Sequence, residues 1–133
     1  MPERKTIERA REAKRKGKSP STQAGEFVRE EIEHIREGKH GARSTKQAIA
    51  IGLSKARRSG VKLKPPRPGQ TSERTRKSAA REYRASQTGT RKKPSARRSR
   101  AALKKLKSEP RSAASHAALS RHARAVARQR KRR

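Results

Sequence analysis

The stretch "SARRSRAALKKLK", residues 95–107, places a basic side chain at nearly every second position. Guanidinium groups fork onto pairs of phosphate oxygens and ammonium groups meet them as point charges. Arg outnumbers Lys by 25 to 16 over the chain, which favours the forked mode. The chemistry this pattern supports is neutralisation of a polyanion's phosphates. The residues expected to make the contacts are Lys46, Lys55, Arg57 and Arg58 near the middle of the chain. Toward the C-terminus they are Arg91, Lys92, Lys93, Arg97, Arg98, Arg100, Lys104, Lys105, Arg121, Arg124, Arg128, Arg130, Lys131, Arg132 and Arg133.

Other chemistry finds little support. His34 and His40, and again His116 and His122, are separated by five residues, not by the spacing that puts two ligands on one helical face, and cysteine is absent. The sequence therefore predicts solvated histidines, no metal and no cofactor. No HExxH, GxSxG or P-loop pattern occurs, and the glutamates fall on an amphipathic helix with an exposed-looking charged face, so no enzyme is expected. Phe27 reads as core, which leaves Tyr83 as the one ring for base stacking and argues against a single-strand binder.

The balance of charge extends the phosphate reading to the whole chain. Lys and Arg number 41 against 11 acidic residues, a formal net charge of +30. Eight of the eleven glutamates lie at or before Glu37, so residues 1–63 carry a net +9 and the remaining seventy carry +21. A segment of that kind condenses on nucleic acid or on an anionic surface. A membrane partner is not expected, because the basic tail lacks the apolar face that would insert and no stretch is long and apolar enough to span. The first residues lack the apolar core of a secretory signal and contain several glutamates, so the protein is expected to stay where it is made, in the cytoplasm.

The elements that hold these charges follow from periodicity and caps. Only 27% of residues are apolar, too few to order the whole chain around a core. Residues 1–23 read as a basic arm with a marginal helix over 3–16, stopped by Gly17, and "KSPST" reads as a turn. Val28, Ile32 and Ile35 predict a helix over 24–37 ending at Gly38, bordered by the acidic stripe Glu26, Glu30, Glu31, Glu33 and Glu37. The bland expectation for Glu33 and Glu37 is pairing with Arg29 and Arg36; the sharper one is that the stripe docks the basic helix or tail until nucleic acid displaces it.

"STKQ" at 44–47 is a capping-box pattern that predicts a second helix over 45–58, closed by a left-handed cap at Gly60 with Val61 folding back. Ala48, Gly52 and Ala56 make a stripe of small residues that lets the first helix approach closely. The two helices form a hairpin over 24–63 that has few apolar side chains, which leaves a homo-oligomer through the hairpin open. A helix-turn-helix reader using Lys46, Gln47, Lys55 or Arg57 is the weaker reading, since the caps favour one uninterrupted helix. "KPPRPG" begins a linker at 64–70, and residues 71–133 form a polycationic tail with helical stretches over 72–86, 95–108 and 112–130. The fold class expected is all-α: a small helical hairpin with a largely disordered or conditionally helical basic tail.

The segment "GEFVREEIEHIREGKHGARSTKQAIAIGLSKARRSGVKL", residues 25–63, resembles a family of short basic bacterial proteins that share a domain of unassigned function and carry Lys/Arg/Ala-rich tails. Such proteins look histone-like or of the plasmid-stabilisation type. The resemblance implies a bacterial cytoplasmic setting and association with nucleoid or plasmid, and it brings no catalytic residues. DNA is thus the expected partner. An RNA- or ribosome-associated protein is the alternative, and a hairpin that binds a protein partner, with a localising tail, is the third reading.

Overall fold

The computed structural model describes residues 2–89 and 95–131. Among the described residues the protein is all-helical, with α1 at Arg4–Arg15, α2 at Pro20–Arg36, α3 at Thr45–Arg58, α4 at Glu73–Thr88, α5 at Ala96–Ser108 and α6 at His116–Lys131. A short 3₁₀ turn, Ser112–Ala114, precedes α6.

Serine starts five of these six helices. The Ser19, Ser44, Ser72, Ser95 and Ser115 hydroxyls each accept from the backbone N–H three residues on, at 3.1–3.3 Å. Each such cap satisfies an orphan donor of the first turn and stabilises the helix by about 1 kcal/mol. "KSPST" is accordingly a helix start, not the turn expected: Ser19 caps, and Pro20 takes the first helical position, where its missing N–H costs nothing. α2 begins four residues earlier than its apolar periodicity suggests.

The second helix of the hairpin has the expected bounds. The Gln47 N–H donates to the Ser44 hydroxyl at 3.1 Å, while the Gln47 carbonyl oxygen accepts from the Arg43 N–H at 2.6 Å, one residue further back than in a standard capping box. At the other end Gly60 has φ +97°, and the Val61 and Gly60 N–H groups donate to the Ala56 and Arg57 carbonyls. That is the Schellman arrangement. The same arrangement closes α1 at Gly17 and α2 at Gly38. α3 runs unbroken through Gly52, so no helix-turn-helix turn exists there.

The described chain falls into two compact units, residues 2–30 with 51–89 and residues 31–50 with 95–131, and the hairpin helices contribute to both. In the first unit Ala10, Ala24, Phe27, Ala56 and Val61 form the core, with Ile7, Leu53 and Leu63 packed against it. Gly52 is what lets α2 and α3 close: a Cβ there would stand 2.6 Å from the Val28 Cα. α1 lacks a side-chain cap of its own. The Glu30 carboxylate of α2 takes that role, accepting from the Glu3 N–H at 2.5 Å and from the Thr6 hydroxyl at 3.1 Å, a negative charge at a helix N-terminus. On the far side the Ser54 hydroxyl donates to Glu82 of α4 at 2.6 Å.

In the second unit Ile35, Ala42, Ala48, Ala113 and Ala114 are buried. The chain between α5 and α6 is fastened to the loop after α2. The Gly41 N–H donates to the Leu106 carbonyl at 2.8 Å, the Ala42 N–H to the Pro110 carbonyl at 3.0 Å, and the Thr45 hydroxyl to the Ala113 carbonyl at 2.5 Å. Gly41 is required for this approach, because a Cβ would meet the Glu109 carbonyl oxygen at 1.9 Å.

Candidate nucleic-acid interface

α5 and α6 contain no buried residue. A helix with nothing to bury owes its position to its ends, and here those ends carry serine caps and the fastened junction at 106–114. What the two helices present is charge. α5 exposes Arg97, Arg98, Arg100, Lys104, Lys105 and Lys107, and α6 exposes Arg121, Arg124, Arg128, Arg130 and Lys131. After Glu82, Glu109 is the one carboxylate in the remaining sequence.

The spacing along each helix is the same. Arg97, Arg100, Lys104 and Lys107 recur at i, i+3, i+7 and i+10, as do Arg121, Arg124, Arg128 and Lys131. That interval keeps four cations on one face over a rise of about 15 Å. A duplex strand passes a phosphate about every 3.4 Å of its axis, so one stripe meets several phosphates. Lys107, which the sequence reading left out, belongs to the stripe and is recognisable from that periodicity.

The predicted contact residues nearer the middle divide. Lys46 and Arg58 are exposed and Lys55 is half-buried. Arg57 is not available to phosphate: it is 7% exposed, and its Nε and Nη2 donate to the Leu63 and Lys64 carbonyls at 3.1 and 3.3 Å. Burial lowers its pKa from the ordinary arginine value, opposed by the charge of Glu82. Arg57 instead holds the chain that folds back after α3. Arg91, Lys92, Lys93, Arg132 and Arg133 lie outside the described residues.

A cavity of about 470 Å³ lies beside the start of α6, lined by Arg36, Arg111, Ser112, Ala114, Ser115 and His116. Its two guanidinium groups serve the backbone. Arg36 Nε donates to the Ala114 carbonyl at 2.9 Å. Arg111 donates through Nε to the Ile35 carbonyl at 3.3 Å and through Nη2 to the Arg36 carbonyl, capping the open end of α2.

The acidic stripe is less exposed than its pattern implies. Glu30 and Glu31 are 3% and 0% exposed, one at the N-terminus of α1 and the other 3.2 Å from His40 Nε2, while Glu37 meets Lys39 at 3.3 Å. The tail does reach α2, but through Arg111 at its terminal carbonyls. The solvated-histidine expectation fails for His40, whose side chain is 9% exposed and whose ring stands edge-on to His34 at 6.2 Å. Sequence reasoning weighed histidine against histidine and so passed over Glu31 and His34, which lie three residues apart on one helical face.

These observations define a small protein that is all-α among the described residues, with a helical hairpin and exposed basic helices. Residues 11–68, under half of the chain, match the model of a family of unknown function (DUF6496). The matched segment holds the last five residues of α1, all of α2 and α3 and most of the proline-rich linker, and stops before α4 and the cationic helices that follow. No match is found among curated proteins or among solved structures. No helix among the described residues is long and apolar enough to cross a membrane.

Proposed function

We propose that the protein binds DNA without sequence preference, as a histone-like or plasmid-maintenance-type protein acting by phosphate neutralisation at the nucleoid. The observation that supports this most is the pair of four-cation stripes on α5 and α6, helices that bury nothing and have almost no carboxylates to pair with. Backbone phosphate is the ligand that such a surface suits without any base contact. The loop after α2 and the start of α3 fasten the junction between these two helices and so hold one end of each in place. The reading of the hairpin as a protein-docking face has less support, since among the described residues the one exposed large apolar side chain is Leu103, on α5.

The test is a titration of the full chain against duplex DNA and structured RNA over a salt series. Neutralising the eight stripe phosphates gives a slope of log K on log salt of about −7. Changing Arg121, Arg124, Arg128 and Lys131 to Gln together reduces that slope by about 3 to 4 for any DNA sequence. A flat salt response refutes phosphate neutralisation, and tighter binding of structured RNA at matched salt transfers the function to RNA.

A further inference from the structure

We propose that Glu31, His34 and His40 form a binding site for one divalent transition-metal ion, Zn²⁺ fitting the donor set best. Each offers one ligand atom, and these atoms all lie within 4.8 Å of one another. Glu31 and His34 stand three residues apart on the last turns of α2, the same Glu-x-x-His spacing that directs two ligands inward in helical metal proteins. His40 arrives from the loop, turned back by the Schellman cap at Gly38.

Two details point to a cation at this place. The Gly41 carbonyl lies 2.9 Å from His40 Nδ1, and since a carbonyl only accepts, Nδ1 carries the hydrogen. A backbone carbonyl on the far nitrogen is the partner that orients a metal-bound imidazole. Nε2 then turns to the Glu31 carboxylate at 3.2 Å, with Glu31 1% exposed. In the neutral ring two acceptors face each other there, and a positive species between them is what stabilises the arrangement. Tetrahedral Zn²⁺ with bonds of about 2.0–2.2 Å holds its ligand atoms about 3.3–3.5 Å apart, so the Glu31–His40 separation already fits and His34 closes by a small rotation. A water completes the fourth position. The ion would tie α2 to the loop whose Gly41 and Ala42 receive the junction of α5 and α6. That makes it a staple in a chain poor in core. This site is independent of the DNA-binding reading.

The experiment uses the full, tag-free chain, stripped with a chelator and titrated with Zn²⁺, followed by calorimetry and thermal melting; Co²⁺ replaces Zn²⁺ for visible absorption. One equivalent binds, the melting temperature rises with Zn²⁺ and falls with chelator, and Co²⁺ gives the intense bands of a tetrahedral site. His34→Gln and His40→Gln each weaken binding on the order of 100-fold or more, whereas His122→Gln on α6 leaves it unchanged. If His40→Gln does not fold, the wild-type titration and His34→Gln still decide. Absence of stoichiometric binding, a melting temperature indifferent to Zn²⁺ and chelator, or full affinity in His34→Gln overturns the site. A proton alone then accounts for the contact between His40 and Glu31.

Discussion

Two glycines inside helices give opposite responses to the same substitution. Gly25 lies in α2 with nothing within 4 Å of a Cβ, and Gly52 lies in α3 with Val28 Cα at 2.6 Å and Val28 N and Cγ2 at 2.9 Å. Alanine improves helix propensity at both by up to about 1 kcal/mol. At Gly25 that is the whole effect, so Gly25→Ala stabilises. At Gly52 the new carbon falls about 1 Å short of an ordinary carbon–carbon contact, and two of its three neighbours are backbone atoms that cannot rotate away. The helices must part, and overpacking of this kind costs about 1–3 kcal/mol. The net effect of Gly52→Ala is a loss of up to about 2 kcal/mol, or roughly 8–16 °C in Tm for a unit of this size. Thermal melts of the two variants by circular dichroism decide the matter. A Gly52→Ala protein as stable as Gly25→Ala would refute the close approach of α2 and α3.

Three further outcomes follow from contacts described above. Gly41→Ala drives a Cβ into the Glu109 carbonyl, so it unfastens the junction of α5 and α6; amide exchange at Gly41 and Ala42 accelerates while exchange in α1 stays slow. Arg57→Met keeps the packed stem but removes both donors to the Leu63 and Lys64 carbonyls, costing about 1.5–3 kcal/mol in urea unfolding. It leaves the salt slope of DNA binding intact, whereas Arg100→Gln lowers that slope by about 0.9. At the start of α4 the hydrogen bonds from Arg76 at 2.8–2.9 Å hold the Glu73 carboxyl below its ordinary pKa of 4.5. The pair's contribution is therefore fully present above that ordinary value and is lost as pH falls through the lowered one. The helicity difference between wild type and Arg76→Gln disappears over that descent, and also in high salt because the pair is solvent-exposed.

What the sequence discloses here is decided by how far apart the interacting residues lie along the chain. The bounds of α3, its Ser44 cap and the Gly60 closure involve residues within six positions of one another, and local chemistry settles them. Gly52 was readable because small residues at four-residue spacing imply a neighbour, though not that the neighbour's backbone would be Val28. The burial of Arg57 had a signal as well: once Val61 folds back on Ala56, the carbonyls of Leu63 and Lys64 arrive beside residue 57. Gly41 against Glu109 had none, since nothing local reveals a partner sixty-eight residues away.

The glutamates show the same division and explain the surface that results. In a chain of net charge +30 a carboxylate is scarce, and the structure places three of them where a polar group must be covered. Glu30 meets the uncapped start of α1, Glu31 meets His40, and Glu82 meets Ser54 while opposing the desolvation of Arg57. Buried donors left without such partners would each cost about 1–3 kcal/mol. Negative charge drawn inward in this way is not available to quench the arginines outside, so the arrangement that lets a small core form also leaves α5 and α6 cationic along their length. Part of what reads in sequence as an exposed acidic stripe is thus, at Glu30 and Glu31, withdrawn from the surface, and the basic residues outside stay uncompensated.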